Sequence, residues 1–402
     1  MVASLPRRAR LGIELPQGDE AFSSGAMRSR SVVPGSMADA AGVQAGDRIL
    51  RIGETALRSA PDLKRALRNA GAVDEITFAI EHDGVVLEKR APVQRLPTEI
   101  VAGHEVIYGE LDRGDARLHT IITRPEGAGR SPALLFLQGI SCESVDFGAT
   151  PAATLCRLIH AWAAEGFVTM RLEKRGVGDS EGDDCSQLEF ETEVADFDAA
   201  LTALAANEFV DPDAIFVFGH SVGGMIAARI DPLSKLLRGR IVYGTSAEPW
   251  FSCMESSTAR QLALRGATPA QVSLGVENLH AKLEGLLRDE AVEMVDGRCP
   301  GFHRQLQWTD LKAAWGRVSS PVLVIHGEYD WVVGAEEGQE IVDLVNRRAS
   351  RTAEFLRIAE VDHLFTRHDD LAASLQAYGQ GDFDTRVVAD STAWMRRAMQ
   401  VG

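Results

Sequence analysis

From about residue 132 onward, continuous apolar runs alternate with stretches of helical spacing, whereas residues 10–97 hold short β-patterned runs and little else. Ala133–Leu137, Ala214–Phe218, Pro321–His326 and Glu354–Ile358 read as strands, the first three apolar enough to be buried on both faces of a parallel sheet. In the earlier stretch, Asp47–Ile52 and Glu75–Glu81 alternate as half-buried strands, and Ala60–Ala70 is an amphipathic helix with Leu63, Ala66 and Leu67 on one face. Pro34-Gly35 marks a turn before a short helix over Ala38–Ala41. The change of rhythm predicts two units, 1–97 and 98–402, joined at Pro92–Pro97. Thr98–Arg130 reads as two antiparallel strand segments. Between about 246 and 317 the strand rhythm stops and helices take over, with Ser273–Arg288 as a charged amphipathic helix. The expected fold class is α/β: a mostly parallel sheet flanked by helices, with a helical insertion and a small mainly-β domain in front.

Composition narrows the partners more than the fold. Of 402 residues, 45% are apolar and 25% charged, an ordinary globular balance. Against 42 Lys and Arg stand 58 Asp and Glu, a net charge of −16 that repels phosphate backbones, so no nucleic-acid partner is expected. No apolar stretch approaches the ~20 residues of a bilayer span. Arg7, Arg8 and Arg10 are not followed by the apolar core of a secretory signal, and a cytoplasmic location is expected. None of the five cysteines forms a C-x-x-C pair, and the sequence calls for no metal and no cofactor.

The chemistry concentrates after Ala214–Phe218. Gly219-His220-Ser221-Val222-Gly223 is G-x-S-x-G between a buried strand and a helical pattern beginning at Met225. In that turn the serine takes strained dihedrals, and glycines on either side avoid collisions that a Cβ would cause. The serine hydroxyl is thereby lifted to the top of the sheet, with the helix N-terminus aimed at the anion that forms. Such a serine requires a base, and the base an orienting carboxylate.

With this turn, residues from about Pro132 to the C-terminus resemble the α/β-hydrolase superfamily, in which nucleophile, acid and histidine follow in that order after successive strands. The resemblance implies Ser221 as nucleophile, Asp330 after Pro321–His326 as the acid, and His363 after Glu354–Ile358 as the base. His368 is the nearest rival base, and Glu328 and Asp362 are rival acids. His220 is expected to pack beside the serine and His326 to support the turn before the acid. The oxyanion hole falls to the N–H groups of Val222 and Ile140, with Gly139 the alternative to Ile140; Gln138 stands where many relatives have histidine. Gly176-Val177-Gly178-Asp179-Ser180-Glu181-Gly182 superficially matches a dinucleotide loop, but its spacing is G-x-G-x-x-x-G, and it resembles the turn that shapes the pocket floor in this superfamily, with Glu173 where aspartate is usual. Cys142 and Cys185 follow two loops at the top of the sheet. They either pair or remain packed thiols, and a reducing cytoplasm favours thiols.

Leu11-Gly12-Ile13, Val33-Pro34-Gly35-Ser36-x-Ala38 and Gly42-Val43-x-x-Gly46-Asp47-x-Ile49-Leu50 together resemble a bacterial PDZ domain over about residues 10–95. The resemblance implies that Leu11, Gly12 and Ile13 bind the C-terminus of a peptide partner; the alternative is a module that packs against its neighbour and binds nothing. The helical insertion resembles a cap. Its Trp250, Phe251, Phe302, Trp308 and Trp315 either wall an acyl pocket or serve cap packing. The expected function is a serine hydrolase acting on a small acyl substrate, an ester or thioester, through an acyl-enzyme. A PDZ-assisted peptidase, an acyltransferase and, last, a non-catalytic scaffold are the alternatives.

Overall fold

A computed structural model of the chain describes residues 5–400 apart from 17, 128, 232–234, 289, 292 and 348–351. The N-terminal unit contains β1 (Ile13–Glu14), β2 (Met27–Arg28), β3 (Ser31–Val32), α1 (Met37–Ala40), β4 (Arg48–Ile52), β5 (Thr55–Ala56), α2 (Ala60–Ala70), β6 (Glu75–His82) and β7 (Val85–Pro92). β2, β4, β6 and β7 form an antiparallel sheet with β5 paired to β4, and β1 pairs separately with β3. Met27, Met37, Ile49 and Phe78 fill its core. α2 starts where Ser59 caps the N–H of Asp62, and it packs Leu63, Ala66 and Leu67 inward as the spacing predicts. The pattern missed β7. As an edge strand exposed on nearly every residue, it has no apolar alternation to read.

The large sheet takes the order β8-β9-β11-β10-β12-β13-β14-β15, from β8 (His104–Asp112), β9 (Arg117–Pro125), β10 (Ser131–Leu137), β11 (Val168–Leu172), β12 (Val210–His220), β13 (Leu237–Tyr243), β14 (Val322–Gly327) and β15 (Ala353–Ile358). β8 and β9 are antiparallel, as expected of Thr98–Arg130, and every pairing from β11 to β15 is parallel. Helices cover both faces. Leu135, Leu137 and Val217 meet α4 (Phe190–Ala205), α5 (Val222–Ala227) and α10 (Ala335–Asn346). Leu134, Phe136, Phe216 and Phe218 meet α3 (Thr154–Ala164) and α11 (Arg386–Gln400) on the other side. Double burial is why these strands read as unbroken apolar runs.

The insertion consists of α6 (Trp250–Leu264), α7 (Pro269–Leu286), α8 (Pro300–Trp308) and α9 (Leu311–Arg317). α7 begins four residues earlier than its apolar spacing suggests because Thr268 and Gln271 close a capping box. Phe251, Phe302 and Trp315 pack into the core, and Trp308 is 66% exposed. Cys142 and Cys185 are joined by a disulfide, which overturns the packed-thiol expectation and ties the loop after β10 to the turn after β11.

The two units are clamped together. The Arg7 guanidinium pairs with both Asp146 and Asp179 and lies 4.6 Å over the Tyr108 ring. The Arg8 N–H donates to Asp179 Oδ1 at 2.9 Å, and Arg68 donates to the Ser180 carbonyl at 2.8 Å.

Candidate active site

Ser221 stands between β12 and α5 with φ 56° and ψ −123°, a left-handed conformation costly for a residue with a Cβ. Its N–H is held by the Tyr243 carbonyl at 2.9 Å. A Cβ on Gly219 would stand 2.5 Å from the Gly223 carbonyl oxygen, and one on Gly223 would stand 2.0 Å from that of Leu137. The turn therefore closes only with glycine at these positions.

Asp330 and His363 meet across the ends of β14 and β15. Asp330 Oδ2 accepts from His363 Nδ1 at 2.7 Å, while Oδ1 accepts from the N–H groups of Val332 and Val333 at 2.8 and 3.0 Å. Burial alone would raise the Asp330 pKa, but His363 and the backbone donors hold it below the ordinary carboxylate value. His220 is neutral, because burial and the neighbouring His363 push its pKa down to about 3, and its Nε2 lies 2.9 Å from the His363 carbonyl. His326 stacks on Phe355 under the same strand end. The rivals are engaged elsewhere. Asp362 binds the Leu364, Thr366 and Gly379 N–H groups and His368, closing the loop beyond His363. Glu328 faces Arg357 at the surface.

Ser221 lies between two cavities. One, of about 660 Å3, is lined by Gln138, Phe147, Leu155, His363, Tyr378 and Arg8. The other, of about 450 Å3, lies beneath α6 and α7 and is lined by Met225, Trp250, Met254, Leu279, Val295 and Val333. Ile140 lines both. Of the cap aromatics, Trp250 alone lines either of these two cavities; the others named above serve packing or, like Trp308, lie at the surface. Among the described residues, the N–H groups of Ile140 and Val222 have no protein acceptor. The carbonyls of Gly139 and Ile140 are taken by Lys174 Nζ at 2.6 Å and by Arg298 Nη1 at 3.0 Å. Sequence reasoning passed over both cations. A Lys-Arg pair directly after a buried strand was the available signal for Lys174, and nothing local marked Arg298.

His119, Asp146 and Asp179 bring ligand atoms within 4.8 Å of one another, a spacing a metal could use, but Arg7 already occupies the two aspartates. Glu173 lies beside them, fully buried, accepting from His119, Ser144 and the Asp179 N–H.

The PDZ-like loop adjoins this site. Gly12 has φ +78°, and a Cβ there would stand 2.1 Å from that of Ser36. Val33 N–H donates to the Gly12 carbonyl and Arg30 N–H to that of Glu14, so these face β3; by strand alternation the N–H and C=O of Ile13 face the opposite side. There a groove of about 480 Å3 runs between Leu11-Gly12-Ile13 and Leu63, Lys64 and Leu67 of α2, and its far wall is Cys142, Glu143 and Ser144. Arg8, Leu96, Glu143 and Ser144 line both this groove and the larger of the two cavities at Ser221.

Residues 149–292 match the family described as serine aminopeptidase, S33, and residues 28–79 match the PDZ domain family, a match that leaves Leu11–Ile13 outside. The chain is 26% identical over 276 residues to esterase EstD of Thermotoga maritima, covering 68% of this chain and 64% of that one. It thus spans less than two thirds of that relative. It is 21% identical over 235 residues to the polyketide transferase ATR5 of Stachybotrys chlorohalonatus, covering 54% of this chain and 77% of that one. Among solved structures, DcsB in complex with its substrate analogue superposes with a TM-score of 0.50 at 17% identity, over 74% of this chain and 99% of that one. Among the described residues no helix is long and apolar enough to cross a membrane.

Proposed function

We propose that this chain, an α/β-hydrolase with an N-terminal PDZ domain, is a serine hydrolase that cleaves a small ester or thioester through an acyl-enzyme. The observation that carries the reading is a buried His363–Asp330 pair whose histidine lines the cavity that also holds the strained Ser221. Ser221 attacks the acyl carbonyl, and His363 takes its proton and returns it to the leaving group. Asp330 fixes the imidazole, and the Val222 and Ile140 N–H groups hold the oxyanion. Water then repeats the sequence on the acyl-enzyme. Relationship to an esterase supports this choice of bond.

The two cavities sort the substrate's halves. The leaving group must be within reach of His363, which lines only the larger cavity, so the alcohol or thiol belongs there. The acyl group then lies under the cap, against Met225, Trp250, Met254 and Leu279, a wall suited to an apolar chain. A cytoplasmic location belongs to this reading, although the Cys142–Cys185 bond suits an oxidising compartment better.

A second reading, peptide hydrolysis with the PDZ domain presenting the substrate, is favoured by the four residues shared between groove and catalytic cavity. Acyl transfer is a third, supported by likeness to a transferase. One experiment separates them. The full chain is treated with a fluorophosphonate probe and then assayed on acyl esters, thioesters and peptides, with and without an alcohol acceptor. The expected result is labelling that Ser221→Ala abolishes, with turnover confined to esters and thioesters. Equal labelling of Ser221→Ala sinks the catalytic reading, and turnover confined to peptides with free C-termini replaces it with the second.

A further inference from the structure

Three buried charges lie behind the oxyanion loop, and the hydrolase reading gives them no role. Lys174, Glu193 and Arg298 are 3%, 1% and 0% exposed. Lys174 Nζ is 3.1 Å from Glu193 Oε2, and Arg298 pairs with Glu193 Oε1. Two cations against one carboxylate leave a net positive charge out of reach of water. Such a group is costly to bury, and a well-packed apolar trio is often at least as stable, so stability alone is a weak account of its presence.

What the cations touch supplies a better one. Lys174 donates to the carbonyl of Gly139 at 2.6 Å, and Arg298 to that of Ile140 at 3.0 Å. A trans peptide directs its C=O and N–H in opposite directions. The carbonyl of Gly139 and the N–H of Ile140 belong to one such plane, so a cation fixing the first aims the second away from itself. Gly139 abuts the nucleophile: a Cβ on it would stand 3.2 Å from that of Ser221. The Ile140 N–H has no protein acceptor among the described residues, and Ile140 lines both cavities that meet at Ser221.

We infer that Lys174, seconded by Arg298 and held by Glu193, is a positioning residue: it orients the Gly139–Ile140 peptide so that the Ile140 N–H faces the oxyanion, and its charge polarises that N–H. This deepens the serine-hydrolase reading and rests on it. A fixed donor backed by buried positive charge is worth most where negative charge develops, in the tetrahedral intermediate, and little in the ground state. Lys174 therefore acts on kcat and leaves KM nearly alone. Burial and the neighbouring Arg298 outweigh Glu193 and bring the Lys174 pKa down to about 8. Glu193 and Arg298 are the charged groups that face it. The effect is present while Lys174 is protonated and fades as pH rises through that value.

The test compares the wild-type full chain with Lys174→Met, which keeps the stem's bulk and leaves Glu193 paired with Arg298. Fluorophosphonate labelling of the wild type comes first; without it the hydrolase reading falls and takes this inference with it. Given labelling, Lys174→Met should lose about 10- to 100-fold in kcat, less than the ~10²–10³ for deleting an oxyanion donor. It should lose a similar factor in affinity for a trifluoromethyl ketone, whose adduct bears the oxyanion, with KM unchanged. The wild-type kcat should decline above pH ~8 and that of the variant should not. If the variant does not fold, the wild-type alkaline limb decides alone. Retention of kcat and ketone affinity within about twofold, or a flat wild-type limb to pH ~9.5, overturns the inference.

Discussion

Two of the buried histidine–carboxylate pairs among the described residues invite comparison, and they differ in what lies beyond the ring. In one, His363 Nδ1 stands 2.7 Å from Asp330, and His363 opens on the cavity that holds Ser221. In the other, His119 Nδ1 stands 3.0 Å from Glu173, and the His119 ring stacks on Tyr108 at 5.2 Å and lines neither cavity at Ser221. The second carboxylate spends its remaining capacity on Ser144 and the Asp179 N–H, joining the loop after β10 to the turn that holds Arg7. Pairing and burial are thus shared by the proposed catalytic pair and a pair that clamps loops together. Access to a nucleophile separates them.

The comparison breaks most visibly at the two carboxylates. Asp330→Asn should lower kcat about 10⁴-fold, because the amide favours the wrong imidazole tautomer, while the melting temperature changes little. A loss under tenfold would put Asp330 in the structural class. Glu173→Gln should do the reverse. Breaking a buried pair costs about 3–5 kcal/mol, read as a fall in denaturant midpoint, with Ser221 still labelled in the folded fraction. Burial alone would raise the Glu173 pKa, but His119, the Arg8 charge and the Ser144 hydroxyl bring it down to about 2. Its contribution is therefore complete above the unfolded value of ~4.3 and lost as pH falls toward 2, so Glu173→Gln should also flatten the wild-type acid limb between those values. A variant as stable as wild type but unlabelled would exchange the two roles.

Sequence reasoning named the residues of the proposed catalytic side of this comparison and missed the other side. Ser221, Asp330 and His363 could be named as candidates because each follows a buried strand whose apolar run is visible, and strained glycine turns leave a fixed spelling; the structure pairs His363 with Asp330. His368 and Asp362 were separable from them only as weaker candidates; the structure shows them bonded to each other. The clamp could not be read, since Arg7, Tyr108, His119, Asp146 and Glu173 come from five separated segments and none carries a local signal. The same holds for Arg298, which reaches Ile140 across 158 positions. β7 was lost for a different reason: an edge strand exposed on both sides has no pattern to find.

The smallest expected effect is at the arm itself. Arg7 is partly exposed, and Asp146 and Asp179 keep other donors when it is removed: the Tyr108 hydroxyl at 3.3 Å and the Arg8 N–H at 2.9 Å. Arg7→Met should therefore cost only about 2 kcal/mol, the scale of a hydrogen bond to a charged group. Its consequence should be local. Arg8 and Asp146 line the larger cavity at Ser221, so a loosened arm should disturb the proposed leaving-group side while Asp330 and His363 keep their geometry. KM for an ester should rise a few-fold with kcat nearly constant, the opposite split from Lys174→Met. Limited proteolysis should cut faster between β7 and β8, where the arm no longer fastens the PDZ domain to the sheet. Unchanged KM together with unchanged cleavage would mean that the clamp holds the floor turn alone, and that the PDZ domain is fixed by Arg68 and Lys64 instead.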